Sequence, residues 1–345
     1  MYFSIEPKGK KEDFFNYEYE YEEMQKALKR REKIIAVLGV RRVGKTSLLN
    51  IFYREAKGLK VWLDGRIISD PKKEIFSVIY EVAKTGETRI FGKIDSLNIS
   101  AFGIGLNVKV ASESIIEMEK KISASGNITV FIDEAQKIDI KNLADVLSYF
   151  YDRLPNVSFV LSGSEVGLVE HVLGENDSAH PLYGRHITKI IMKRLDKNRA
   201  FEFLSNGFKQ LNIKETKDEI YRAIDELDGL VGWLTLYGYE KAVLKNNNAL
   251  EKTMELAANI VASEIINFTN ALRNKKLYLA ILRNSNRISW NELKTRTEIT
   301  LKEQLNPKSF SFAVEKLVAC SFLENENGKY FRSDPLILKA LFLVK

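Results

Sequence analysis

Gly39-Val40-Arg41-Arg42-Val43-Gly44-Lys45-Thr46 follows the pattern G-x-x-x-x-G-K-[ST], and its flanks decide how it is read. Ile34-Ile35-Ala36-Val37-Leu38 before it is an unbroken apolar run, the composition of a strand buried on both faces of a parallel sheet. Ser47-Leu48-Leu49-Asn50-Ile51-Phe52 after it reads as the first turns of a helix. A strand, a glycine-bounded turn and a helix N-terminus together make an anion-binding nest, in which backbone N–H groups and the helix dipole face a phosphate chain. A chance Gly/Lys turn would need neither flank. The candidate phosphate-binding residues are Gly39, Arg41, Arg42, Val43, Gly44, Lys45, Thr46 and Ser47. Lys45 would reach the β- and γ-phosphates, and the Thr46 hydroxyl would hold Mg²⁺.

A second motif supports the first. Thr129-Val130-Phe131-Ile132-Asp133-Glu134 is an apolar strand that ends in paired acids. Asp133 at the carboxyl end of a buried strand can stand beside the phosphate loop as the second Mg²⁺ residue. Glu134 then lies where it can polarise an attacking water, which favours hydrolysis over binding alone. Gln136, two residues on, reads equally as a helper of that water and as a surface residue. Val157-Ser158-Phe159-Val160-Leu161 is a further buried strand, and its polar end, Ser162-Gly163-Ser164, falls between the two motifs. Ser162 or Ser164 could sense the γ-phosphate, and a plain turn with a helix cap fits as well. Arg185, before a last core strand at His186 to Met192, is a candidate charge stabiliser, in cis or across a subunit interface; an ordinary salt bridge competes with that role. The three histidines, His171, His180 and His186, are not spaced as metal ligands, so no zinc is expected.

Composition sets the outer limits. A chain of 345 residues suffices for two or three domains, and its 45% apolar content can supply their cores. No run of about eighteen apolar residues exists, so no membrane span is expected. The N-terminus, MYFSIEPKGKKEDFF, lacks the apolar stretch of a secretory signal. The single cysteine, Cys320, excludes an internal disulfide and fits a reducing cytoplasm, which is the expected location. Residues 273–345 carry 14 Lys and Arg against 7 Asp and Glu, while the rest of the chain carries 39 of each sign. The whole excess of +7 therefore lies in the C-terminal fifth, the charge pattern of a chain with a polyanionic partner or simply of a basic solvated face.

The remaining segments complete the layout. Phe15-Asn16-Tyr17-Glu18-Tyr19-Glu20-Tyr21-Glu22 alternates with period 2 and predicts a short strand or extended arm, leading into a helix from about Glu22 to Arg31. Such a leader could close over the adenine or simply lie on the surface. Lys60 to Asp64 reads as a strand and Lys72 to Lys84 as a helix opened by Pro71. Residues 95–111 alternate around Gly103 and Gly105 and predict an inserted β-hairpin, followed by a helix from about Ser112 to Ser123. From Asp196 the pattern is helical through about Leu272, a lid that would report nucleotide state by moving. Residues 273–345 read as a winged helix-turn-helix: a helix at Leu277 to Arg283, a second capped by Ser289 with Glu292 in capping-box spacing, a third opened by Pro307, and a hairpin with an Asn327-Gly328 turn. If this module holds double-stranded DNA, its third helix enters the major groove. Lys302, Lys308, Ser309, Ser311 and Lys316 then lie nearest the bases, and Lys329 and Arg332 nearest phosphates. Glu303, Glu315, Glu324 and Glu326 dilute that face, and such modules also dock proteins. The domains expected are thus 1–195, 196–272 and 273–345.

Assembled, these pieces resemble the archaeal ATPase family, a P-loop group akin to AAA+ and STAND NTPases and distantly to origin-recognition ATPases. The resemblance rests on Gly39 to Ser47, Phe131-Ile132-Asp133-Glu134-Ala135-Gln136, Leu161-Ser162-Gly163-Ser164, Leu182-Tyr183-Gly184-Arg185 and Asp228-Gly229-Leu230-Val231-Gly232-Trp233-Leu234-Thr235. It implies an α/β P-loop core with a parallel sheet ordered 5-1-4-3-2, a helical lid, a C-terminal winged helix, and binding and hydrolysis of ATP; with the Mg²⁺ residues read above, slow turnover to ADP is the expectation. The expected partners are ATP and, from the basic C-terminal fifth and its winged-helix pattern, either duplex DNA or a protein, self-association included. Two departures stand out: the lid's Gly-x-Pro is here Gly229-Leu230-Val231, and the family's Gly-Arg-Glu leader is absent. GTP is disfavoured, because Asn274-Lys275-Lys276 lacks a guanine-reading Asp.

Overall fold

The computed structural model describes residues 1–91, 114–163, 172–174, 178–270 and 272–344. They form two compact units, one of residues 6–39 and 44–192, the other of residues 1–5, 40–43 and 193–345.

The first unit is an all-parallel sheet with helices. Its strands are β1 (Ile34–Leu38), β2 (Leu59–Asp64), β3 (Arg89–Phe91), β4 (Ile128–Asp133), β5 (Val157–Gly163) and β6 (Thr188–Ile191). Its helices are α1 (Glu18–Lys29), α2 (Lys45–Glu55), α3 (Pro71–Thr85), α4 (Ile115–Ala124) and α5 (Ile140–Arg153). Each residue of β1 is buried, as its unbroken apolar run requires. On one face Ile34, Ala36, Leu63, Val130 and Leu161 pack with Ile75, Val78 and Ile79 of α3 and Leu147 and Phe150 of α5. On the other, Trp62 stacks on Phe131 with ring centroids 6.3 Å apart, and Tyr53 of α2 meets both edge-on.

The strand order is β3-β2-β4-β5-β1-β6. It differs from the expected 5-1-4-3-2 because a sixth strand, Arg89–Phe91, pairs with β2 and renumbers every strand after it. Three residues were too short a run to stand out in the sequence. The segment Glu18 to Glu22 is helical and not the extended arm its alternation suggested. Tyr17 and Tyr21 are four residues apart, so both turn inward at the start of α1, while Tyr19 is 71% exposed. The hairpin expected over 95–111 lies outside the described residues, as does Ser164.

The second unit is mostly helical: α6 (Lys197–Gln210), α7 (Lys217–Leu227), α8 (Val231–Gly238), α9 (Ala249–Asn270), α10 (Lys275–Asn284), α11 (Trp290–Leu301), α12 (Pro307–Ala319) and α13 (Ile337–Leu341). A π-helical turn, Tyr239–Val243, continues α8. Thr216 and Glu219 cap α7 reciprocally, and Asn306 caps α12 with Pro307 as its first residue. β7 (Ile288–Ser289), β8 (Leu323–Glu326) and β9 (Lys329–Arg332) form an antiparallel sheet ordered β7-β9-β8. Asn327 (φ 51) and Gly328 (φ 76) turn β8 into β9, both in the left-handed region that such a two-residue turn demands. Phe3 is fully buried here, 5.0 Å from the ring of Phe208 and 5.9 Å from that of Phe203.

Candidate functional site

The carboxyl ends of β1, β4 and β5 lie side by side, the place where an open parallel sheet presents loops to a ligand. β1 runs into the phosphate loop, whose turn uses Gly39 (φ 154), Arg42 (φ 69) and Gly44 (φ 99). Gly44 is the N-cap of α2, so the first N–H groups of that helix open toward the loop. Lys45 is 5% exposed and its Nζ donates to the Gly39 carbonyl at 3.0 Å.

Thr46, Asp133, Ser162 and Glu134 are brought together by three different elements. The Thr46 hydroxyl donates to Asp133 Oδ2 at 3.0 Å, and the Ser162 hydroxyl donates to Asp133 Oδ1. The Glu134 backbone N–H in turn donates to Ser162 Oγ at 3.2 Å. Burial pushes the Asp133 carboxyl above its ordinary range; the Ser162 and Thr46 bonds work against this, and the charges of Glu134 and Asp64 add to it. Glu134 adopts the left-handed conformation (φ 54), unusual for a residue with a Cβ and a mark of a backbone held by its surroundings. Its Oε2 accepts from Gln136 Nε2 at 2.6 Å, and Gln136 is buried, so of its two sequence readings the surface one falls away.

This donor set suits a small hard cation. One carboxylate and one hydroxyl, all oxygen, leave the other positions to waters and phosphate oxygens, the usual way Mg²⁺ is bound beside a nucleotide. Thr46 and Asp133 are the residues that would hold it.

The other expected residues have different partners. Ser47 Oγ accepts from the Lys8 backbone N–H at 3.0 Å. Val43 is fully buried. Arg41 and Arg42 belong to the second unit, where Arg41 Nη1 donates to Glu264 at 2.9 Å and Arg42 donates to Glu264 at 2.6 Å and to Asp334 at 3.1 Å. The Arg42 guanidinium also lies 4.2 Å over the Trp233 ring, and the Trp233 Nε1–H donates to Asp334 at 2.9 Å. Arg185 joins none of these groups. Its guanidinium grips Asp152 with Nε at 3.1 Å and Nη2 at 2.6 Å, the ordinary ion pair that competed with a catalytic role. In the second unit the Arg332 Nη1 donates to the backbone carbonyls of Leu282, Arg283 and Ser285.

Sequence reasoning missed four residues. Glu264 lies within α9 and Asp334 in a loop, with no local pattern to mark them. Asp64 and Arg66 carried a signal, since Lys60-Val61-Trp62-Leu63-Asp64 is a second apolar strand ending in an acid.

The family of ATPase domains found predominantly in Archaea matches residues 14–235. Among curated proteins, none matches the chain. A Walker-type ATPase of Pyrococcus abyssi is similar over 99% of this chain and 100% of its own, with 27% identity and a TM-score of 0.76. The Holliday junction branch migration motor RuvB of Thermotoga maritima is a slighter match, at 12% identity over 95% of this chain and 96% of that one, TM-score 0.48. The family match covers both acidic and phosphate-loop motifs and more than half of the sequence, and the chain belongs to the ATPase domain family found predominantly in Archaea.

Proposed function

We propose that the protein is an Mg²⁺-dependent molecular switch that binds and hydrolyses ATP, and that its C-terminal unit conveys nucleotide state to a partner. In this reading the P-loop core spans 1–195, residues 196–272 are a helical lid and residues 273–345 a winged helix. Lys45 holds the β- and γ-phosphates, Thr46 and Asp133 hold the metal, and Ser162 fixes the Asp133 carboxylate. Glu134, as general base, orients the attacking water. Bound Mg²⁺ would neutralise charge that develops on the phosphate oxygens. The observation that carries the switch is the pairing of Arg42, inside the phosphate loop, with Glu264 and Asp334. A loop anchored this way cannot change shape on filling with phosphate without a change in what those carboxylates hold.

Duplex DNA is the first partner proposed, on the excess of +7 that falls in residues 273–345 and on the exposure of Lys302, which ends α11, and of Lys308 on α12. The test is duplex binding by the full chain against log salt, with and without ATP. A steep linear fall, weakened by charge reversal at Lys302 and Lys308, supports DNA binding. No binding at low salt sinks it.

A second reading makes the protein a STAND-like signalling or scaffold protein with nucleotide as a conformational lock. Phe312 on α12 is 62% exposed and Ile299 on α11 is 71% exposed, side chains suited to a protein partner or a second copy. Negligible turnover with tight ATP binding favours this reading.

A further inference from the structure

Asp64 and Asp133 are register partners at the ends of adjacent strands β2 and β4, both are buried, and Glu134 follows directly. Three acids at one edge of a phosphate site repel each other and the phosphate chain they are to serve.

Arg66 meets that charge. Its backbone N–H donates to Asp64 Oδ1 at 3.0 Å, its Nε to the same carboxylate at 2.8 and 3.1 Å, and its Nη2 to Oδ2 at 2.5 Å. The residue between them fixes where this fork lies. The Gly65 N–H donates to the Asp133 carbonyl at 2.8 Å, and a Cβ on Gly65 would stand 2.4 Å from the Glu134 carbonyl oxygen. Only glycine lets the Asp64-Gly65-Arg66 turn lie this close against the Asp133-Glu134 turn. The charges of Glu134 and Asp133 accordingly reach the Arg66 guanidinium as well. Its side chain is 56% exposed, and among the described residues its Nη1 has no acceptor.

We propose that Arg66 is the in-chain cation of the hydrolysis centre: Asp64 holds its fork so that Nη1 donates to the terminal phosphoryl group of a bound nucleoside triphosphate. The proposal rests on the reading of this site as an ATP site. It gives Arg66 the in-chain form of the part that the sequence offered to Arg185, which here pairs with Asp152. A guanidinium suits it because one edge can grip a carboxylate while the other faces a phosphate.

The test is calorimetric titration with Mg²⁺ and either ADP or the non-hydrolysable analogue AMPPNP, alongside steady-state ATP turnover. Arg66→Gln, which keeps an amide for Asp64, loses about tenfold or more in AMPPNP affinity, the worth of one charged hydrogen bond, and keeps ADP affinity within about twofold. Its kcat falls at least about tenfold, and Arg66→Lys restores part of the AMPPNP preference. Equal losses for both nucleotides, or none for either, overturn the proposal. Thermal unfolding identifies a variant that fails to fold; the Asp64→Asn/Arg66→Gln double variant then removes both charges and must show the same selective loss. If the wild-type chain binds neither nucleotide, the reading of the site fails. If it binds both and the variants bind alike, the site stands and the role of Arg66 falls.

Discussion

Arg42 donates to Asp334 at 3.1 Å across 292 residues of chain, and does so from a left-handed backbone position (φ 69) inside the phosphate loop. Asp334 is 6% exposed, accepts from the Trp233 indole, and shares Arg42 with Glu264. Burial pushes its carboxyl up and Arg42 works against that. Removing one partner of such a pair leaves the other buried without its counter-charge. Asp334→Ala is therefore expected to lower stability by about 3 kcal/mol, and Asp334→Asn by less because it keeps an acceptor for Trp233. Urea unfolding measures this. An alanine variant as stable as the wild type means that Glu264 alone holds Arg42.

The acid at 134 is held by Gln136 at 2.6 Å while the acid at 133 carries the hydroxyls of Thr46 and Ser162. That division of labour separates binding from turnover. Glu134→Gln should bind Mg²⁺ and ATP as the wild type does, with kcat reduced by about a hundredfold or more. Lys45→Ala should lose nucleotide binding. If Glu134→Gln turns ATP over at the wild-type rate, the base is another group.

Lys8 gives a pH signature. Its backbone N–H donates to Ser47 Oγ, its carbonyl accepts from Asn50, and burial lowers its ammonium from 10.5 to about 8, with Asp13 pulling the other way. Below about 8 both folded and unfolded chains carry the proton, and the folded chain bears the cost of burying the charge. Between about 8 and 10.5 only the unfolded chain still holds it, so the unfolded state binds more protons and this group's contribution to stability rises with pH. Lys8→Met should thus raise stability at pH 7 by about 1 kcal/mol, allowing for partial solvation, with the gain shrinking as pH rises from about 8 and lost only above 10.5. Thermal unfolding from pH 7 to 10 measures it. A gain that does not shrink with pH points to packing of the methionine and not to the charge.

How much of this was legible in the sequence depended on the range of the interaction. The phosphate loop, the Asp133-Glu134 turn and Ser162 sit at ends of apolar runs, so local pattern and the rule that ligands meet strand ends were enough. Glu18 to Glu22 misled because period-2 alternation of Tyr and Glu also places Tyr17 and Tyr21 on one helical face. Arg41 and Arg42 fall in the variable positions of the loop pattern, where nothing local reveals that their side chains answer to Glu264 and Asp334. The in-chain partners of Arg185 and Arg332, Asp152 and a set of backbone carbonyls, were likewise out of reach of local pattern. Charge alone does not say where a guanidinium points.

Gly229-Leu230-Val231 lacks the proline its family resemblance led one to expect, yet the backbone is already shaped for one. Leu230 is extended (φ −75, ψ 100), the conformation required of a residue before proline. Val231 is the first residue of α8, where a backbone N–H has no partner within the helix to lose. The bonds that hold this turn come from its neighbours: the Gly232 N–H donates to the Arg42 carbonyl at 2.9 Å and the Leu195 N–H to the Gly229 carbonyl at 2.9 Å. Val231→Pro leaves both in place and restricts only the unfolded chain. It should raise stability by about 0.5–1 kcal/mol. Denaturant unfolding of the full chain decides it: a loss of stability would mean that the Val231 side chain, half-buried here, packs better than the ring that replaces it.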